Sequence, residues 1–156
     1  MREAPTRRAG GPAPQPVFDD KDTEMAEFPD TDWMAAFADR VASDRELAII
    51  GGKFDVDMGI TFGERRYVLR VRQGKIEKIL PAPGFDVPTQ FEIRAPMELW
   101  QRFLSETPPP LYHDIFAMIM RVPEFVLEGD TLVAMQNARA LHRMMGLMQK
   151  VGKEHA

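Results

Sequence analysis

From residue 31 onward, apolar side chains recur with two periods, and the changes between them mark the elements. Thr31 sits where a helix cap belongs, and Trp33, Met34, Phe37, Val41 and Ala42 follow at helical spacing. After Gly51-Gly52 the spacing changes to alternation, and Lys53 to Ile60 reads as a half-buried strand. Phe62-Gly63-Glu64 turns the chain into Arg66 to Arg72, with Tyr67, Leu69 and Val71 inward and Arg66, Arg70 and Arg72 outward. Gln73-Gly74 makes another tight turn before Lys75 to Leu80, which completes an antiparallel meander with one solvated face. Beyond a loop from Pro81 to Pro88, Thr89 to Arg94 alternates as a fourth strand. Pro96 suits the first position of a helix reaching about Glu106, on which Met97, Trp100, Phe103 and Leu104 share a face. Pro108-Pro109-Pro110 breaks the chain rigidly. The spacing of Leu111, Ile115, Met118, Ile119 and Val122 then predicts a helix over 111–121. Glu124 to Glu128 reads as a fifth strand closed by Gly129. Asp130 or Thr131 caps a last helix to about Lys150, its stripe formed by Ala134, Ala138, Leu141, Met144, Met145 and Met148. One-sided strands need helices to cover them, so the fold class is α+β: an antiparallel meander and two further strands, five in all, covered by helices.

Composition separates a tail from this body. Residues 1–30 hold five of the 13 prolines and few large apolar side chains, with four basic and seven acidic residues against 16 and 17 in the rest. Such a segment cannot offset its ordering entropy by burial, so 1–30 reads as a disordered, proline-rich acidic tail, with Met25 and Phe28 as its only docking candidates. The body spans 31–151, and 152–156 form a short C-terminal tail. At 156 residues and 44% hydrophobic content, the chain holds one domain with a core of its own. A net charge of −4 argues against nucleic-acid binding, which needs a basic face to displace counterions. No apolar run approaches the roughly 18 residues of a membrane span, and Met1 to Pro16 lacks the apolar stretch of a secretory signal. The chain has no cysteine, which excludes disulfides and thiol chemistry and fits a cytoplasmic setting.

The catalytic inventory is thin. His113, His142 and His155 have no metal-ligand spacing with carboxylates, and no cofactor motif is present. His113-Asp114 reads as a first-turn polar pair, since neighbours on a helix point in different directions; a dyad is the rarer alternative. His142 flanks the stripe of the last helix. Gly51-Gly52-Lys53 lacks the rest of a phosphate loop, Asp55 and Asp57 face arginines across the sheet, and Ser43 and Ser105 lack a nucleophile-elbow context. These residues assemble no active site, and the chain is read as a non-enzyme.

The apolar side is more informative. Met118, Met120, Met135, Met144, Met145 and Met148 place six of the 11 methionines in the last 40 residues. They can simply fill a core. Methionine is also unbranched and polarizable, suited to a space that adapts to differently shaped apolar guests, and an apolar pocket needs few polar anchors.

The order of elements and several of their residues resemble the sterol carrier protein 2 (SCP2-like) lipid-binding domain over about residues 33 to 150. The resemblance rests on the helix before Gly51-Gly52-Lys53-Phe54-Asp55-Val56, on Tyr67 to Val71 with Gly74-Lys75-Ile76, and on Gln90 to Arg94 leading into Met97 to Trp100. Its most telling piece is Phe125-Val126-Leu127-Glu128-Gly129-Asp130 leading into the last helix. It implies a five-stranded mixed sheet with an apolar tunnel beneath its helices, holding fatty acyl chains, acyl-CoA or sterols. On this chain Phe91, Trp100, Phe103, Leu104, Ile115, Met118, Ile119, Phe125, Leu141, Met144, Met145 and Met148 would line the tunnel, and Arg94 or Arg102 would anchor a head group. The prolines and the extra helix of Tyr112 to Met120 depart from the family's pattern. That helix can lid the tunnel, plug it or form a dimer contact.

The expected function is non-catalytic binding or transport of a hydrophobic small molecule: a fatty acid, an acyl-CoA, a sterol-like or a quinone lipid. Two alternatives stand beside it. One is an interaction or dimerisation module with a filled core, which would make a homodimer its partner. The other is a small isomerase or cyclase using His113 and Asp114.

Overall fold

The computed structural model describes residues 27–84 and 86–154. The sequence-based expectations for 1–26, including Met25, and for His155 lie outside the described residues. Helix α1 (Thr31–Ser43) buries Trp33, Met34, Phe37 and Val41 on one stripe. Ala42 falls on its exposed side, because it lies one position past the end of that stripe. Asp30, not Thr31, occupies the cap position, and it makes no side-chain cap bond. Just before it, Phe28 packs edge-on against Trp33 and Phe62, with centroids 4.8 and 4.6 Å away. The short α2 (Arg45–Ile50) starts at Asp44, whose carboxylate accepts from the Leu47 amide at 2.8 Å.

Strands β1 (Val56–Phe62), β2 (Arg65–Arg72) and β3 (Lys75–Pro81) form the expected antiparallel meander. Then β4 (Phe91–Ala95) runs parallel to β1 on its other edge, and β5 (Val126–Gly129) pairs antiparallel with β4. The sheet order is β3-β2-β1-β4-β5, which makes a mixed sheet with a single parallel pair. Register matters because a one-residue slip would exchange the two faces. Pairing Met58 with Leu69 and with Phe91 puts Val56, Met58, Ile60, Phe62, Tyr67, Leu69, Phe91 and Ile93 together in one core. Gly129 closes β5 at φ +96°, a conformation that strains any side chain, and a Cβ there would meet the Gln90 carbonyl at 2.9 Å.

The opposite face is a ladder of ion pairs: Arg72 with Asp57, Arg66 with Glu92 and Arg94 with Glu128. Val68 belongs to this face and is nonetheless fully buried. Its cross-strand partner is Gly59, over which the Glu92 side chain lies so closely that a Cβ would come within 2.7 Å of it. Long charged side chains laid across a sheet cover apolar surface with their stems.

The remaining helices cover the core face. α3 (Met97–Leu104) buries Leu99, Trp100, Phe103 and Leu104. α4 spans Ile115–Arg121 rather than starting at Leu111, because the Asp114 side chain caps it by accepting from the Phe116 amide at 2.9 Å. Leu111, expected on the apolar stripe, is exposed in a turn at φ +79°. The single last helix expected from the sequence is two: α5 (Thr131–Gln136), capped by Asp130, and α6 (Ala138–Glu154). Asn137 separates them, its amide and its side-chain Nδ2 both donating to the Val133 carbonyl. α6 continues past Lys150 to Glu154, which pairs with Arg40, and Gly152 lets it approach Leu104. A fork from Arg143 to Asp44, at 3.0 and 2.7 Å, ties α6 to the junction of α1 and α2.

Candidate functional site

The residues expected to line a ligand space do converge. β4 contributes Phe91, α3 Trp100, Phe103 and Leu104, α4 Ile115 and Met118, and α6 Leu141, Met144, Met145 and Met148. All of these, with Phe125, are buried, and Ile119 on α4 is half-buried. Phe125 precedes β5 instead of lying in it, and its ring packs 4.8 Å from Trp100. Trp100 is the hub: its ring meets Phe62 at 4.8 Å, and its indole N–H donates to the Thr61 carbonyl at 2.9 Å. Such a buried N–H requires a partner, and the first turn of α3 aims it back at β1.

The methionines divide. Met118 on α4 and Met144, Met145 and Met148 on α6 are buried in the core, whereas Met120 and Met135 are 77% and 50% exposed. Met120 stands two positions past Met118, and Met135 one past Ala134, so each turns away from the buried side of its helix.

The two candidate anchors differ in place. Arg94 lies on the sheet face opposite the helices, where it forks onto Glu128 at 3.0 and 3.3 Å. The guanidinium holds the Glu128 carboxyl below the usual glutamate range, and the carboxylate in turn raises Arg94. Alternation along β4 dictates this, since Ile93 points to the core, so Arg94 cannot reach a guest beneath the helices. Arg102 lies in an outer groove of about 290 Å³ with Leu99, Tyr112, Glu98 and Glu124. Its guanidinium sits 5.3 Å from the Tyr112 ring centre and donates to the phenol oxygen at 3.2 Å.

A smaller crevice of about 30 Å³ opens beside Met145. Phe103, Ile115 and Met145 form its apolar floor, and His113, Asp114, His142 and Gln149 its polar rim. His113 and Asp114 form no dyad with each other. The Asp114 carboxylate instead faces His142 Nε2 across the helix contact, at 3.6 Å, while the His142 ring stacks on Phe116. Gln149 Nε2 donates to the Phe103 and His113 carbonyls at 3.0 and 3.3 Å, joining α6 to both neighbouring segments. Gly146 forms part of the wall, and a Cβ added there would meet nothing within 4 Å. The sequence carried a signal for this rim: His142, Gly146 and Gln149 stand at i, i+4 and i+7, one face of a helix. Among the described residues, no cluster of three or more His, Asp or Glu could hold a metal ion, and no helix is long and apolar enough to cross a membrane.

No family profile matches the sequence, and no curated protein matches it. Solved structures do. A crystal structure of sterol carrier protein 2 superimposes with a TM-score of 0.64 at 16% identity, covering 80% of this chain and 98% of that one. The solution structure of a conserved hypothetical protein from Thermus thermophilus, for which a sterol carrier role has been suggested, gives 0.62 at 17% identity, with 80% and 90% covered. At such identities the likeness speaks to the fold, and the fold is SCP2-like: a five-stranded mixed sheet with helices over one face.

Proposed function

We propose that this protein binds and carries a hydrophobic small molecule, without transforming it, between its sheet and the helices α3, α4 and α6. The observation that supports the reading is that Met118 on α4 and Met144, Met145 and Met148 on α6 are all buried in the core of an SCP2-like fold. Burial of the guest would supply most of the affinity, at about 25 cal/mol per Å² of apolar area. Thioether side chains have three rotatable bonds and can move aside for it. Fatty acids, acyl-CoA, sterol-like rings and quinones all fit this chemistry, and a cytoplasmic setting suits a chain without cysteine.

The test is native mass spectrometry of the purified full chain together with displacement of a fluorescent fatty acid. The expected result is a bound lipid or saturable displacement; absence of lipid in both experiments overturns the reading. The dense burial of the expected lining residues favours a second reading, an interaction module with a filled core. Light scattering would support that one through a stable complex that shows no lipid uptake.

A further inference from the structure

We propose that the crevice between α3, α4 and α6 is the mouth of the binding site, and that it selects amphiphiles with an uncharged hydroxyl head over carboxylates. This rests on the lipid-binding reading above and names the head group that it leaves open. The crevice is a place where polar side chains meet an apolar floor that includes Met145. Its floor of Phe103, Ile115 and Met145 belongs to the same apolar core as Met118, Met144 and Met148, so a chain that displaces the floor enters that core. Its volume of about 30 Å³ has room for a water-sized group such as a hydroxyl.

Charge favours the same choice. Asp114 supplies the carboxylate on the rim, and no lysine or arginine lines the crevice. The nearest arginine on α6, Arg143, is committed to Asp44, and Arg139 is exposed and does not line the crevice. A hydroxyl can donate to Asp114 and exchange a hydrogen bond with the His142 ring. A carboxylate would face a like charge, which costs about a fivefold loss of affinity even in a watery setting.

Gly146 makes the proposal testable. A Cβ at Gly146 meets nothing within 4 Å, so Gly146→Leu starts in open space and projects its side chain into the mouth. Binding of pyrenyl-dodecanol and of pyrenyl-dodecanoate to the full chain would be titrated by fluorescence at pH 8. The alcohol is expected to bind at least about fivefold more tightly. Gly146→Leu is expected to lose about tenfold or more in alcohol affinity while its urea midpoint holds or rises, since leucine replaces a helical glycine. Asp114→Asn keeps a capping side chain and is expected to remove the penalty on the carboxylate. Equal binding by wild type and a folded Gly146→Leu variant overturns the mouth, and equal affinity for both probes overturns the selection. Failure of the wild type to bind either probe overturns the lipid-binding reading itself.

Discussion

Trp100 shows how one side chain holds sheet and helices together. It fills the space between Phe62, Phe103 and Phe125 and gives its indole proton to the Thr61 carbonyl on β1. Truncation to alanine removes both contributions, and for a buried tryptophan the cost is about 3 to 5 kcal/mol. Trp100→Phe retains most of the contact area and loses the hydrogen bond, for which about 1 to 3 kcal/mol is expected. Urea unfolding followed by circular dichroism checks both, and a smaller loss in Trp100→Ala than in Trp100→Phe would contradict this account. The apolar spacing of α3 identified Trp100 as buried. It could not identify the acceptor, because Thr61 comes within reach only once Pro96 turns the chain back along β1.

Among the elements, the longest helix depends on a charge contact that no local pattern foretells. Asp44 caps α2 through the Leu47 amide and receives both arms of Arg143 from α6. The Arg143 fork is the main reason the Asp44 carboxyl titrates below its ordinary value of 3.8. A lowered folded value means that the contact stabilises fully above the unfolded value and is lost as pH falls through the folded one. Asp44→Asn retains the cap and loses the ion pair, so at pH 7 it should cost about 1 kcal/mol, Arg143 being partly exposed. The gap from wild type should close in acid below pH 3.8. A gap that persists to pH 2 would mean that the cap, not the charge, is what the variant disturbs. Helix α4 is held to the core far less firmly than α6, which buries seven residues. Helix α4 itself is seven residues long and buries only Ile115 and Met118. Amide exchange in α4 should therefore outpace that in α6 by about tenfold or more, as measured by mass spectrometry. Its late start was hidden in the sequence because Leu111 has the right spacing for the stripe, whereas the Asp114 cap and the three prolines decide the start. The break at Asn137 was hidden likewise, since its side chain ends α5 by a bond that periodicity does not register.

For the whole molecule, alternation and turn glycines read correctly the meander and the two further strands, because each depends on near neighbours, whereas α2 went unread and α5 and α6 were read as one helix. The parallel union of β1 with β4 depends on the long return through residues 82–90, and the sequence signal for it is family resemblance alone. The burial of Val68 on the charged face needed coordinates, since it follows from Glu92 lying across Gly59 on two different strands. The methionines are where fold and function meet, and they permit a direct comparison. Replacing Met118, Met144, Met145 and Met148 together by leucine conserves volume and hydrophobicity, which usually costs less than about 1.5 kcal/mol per site. Leucine branches at Cγ and has fewer rotamers, so the same core becomes more rigid without becoming less apolar. If these side chains merely fill space, the variant should fold with near-native stability and bind lipids as the wild type does. If they are the adaptable walls of a carrier, it should fold equally well yet accept fewer guests, losing broad ring systems before slender chains. Parallel titrations with cholesterol and a long-chain alcohol, against the urea midpoint of each protein, separate the two. The expected outcome is an unchanged midpoint with cholesterol binding reduced about tenfold or more and the alcohol affected less. Identical affinities for both ligands in a stable variant would place the methionines in the structural core and nowhere else.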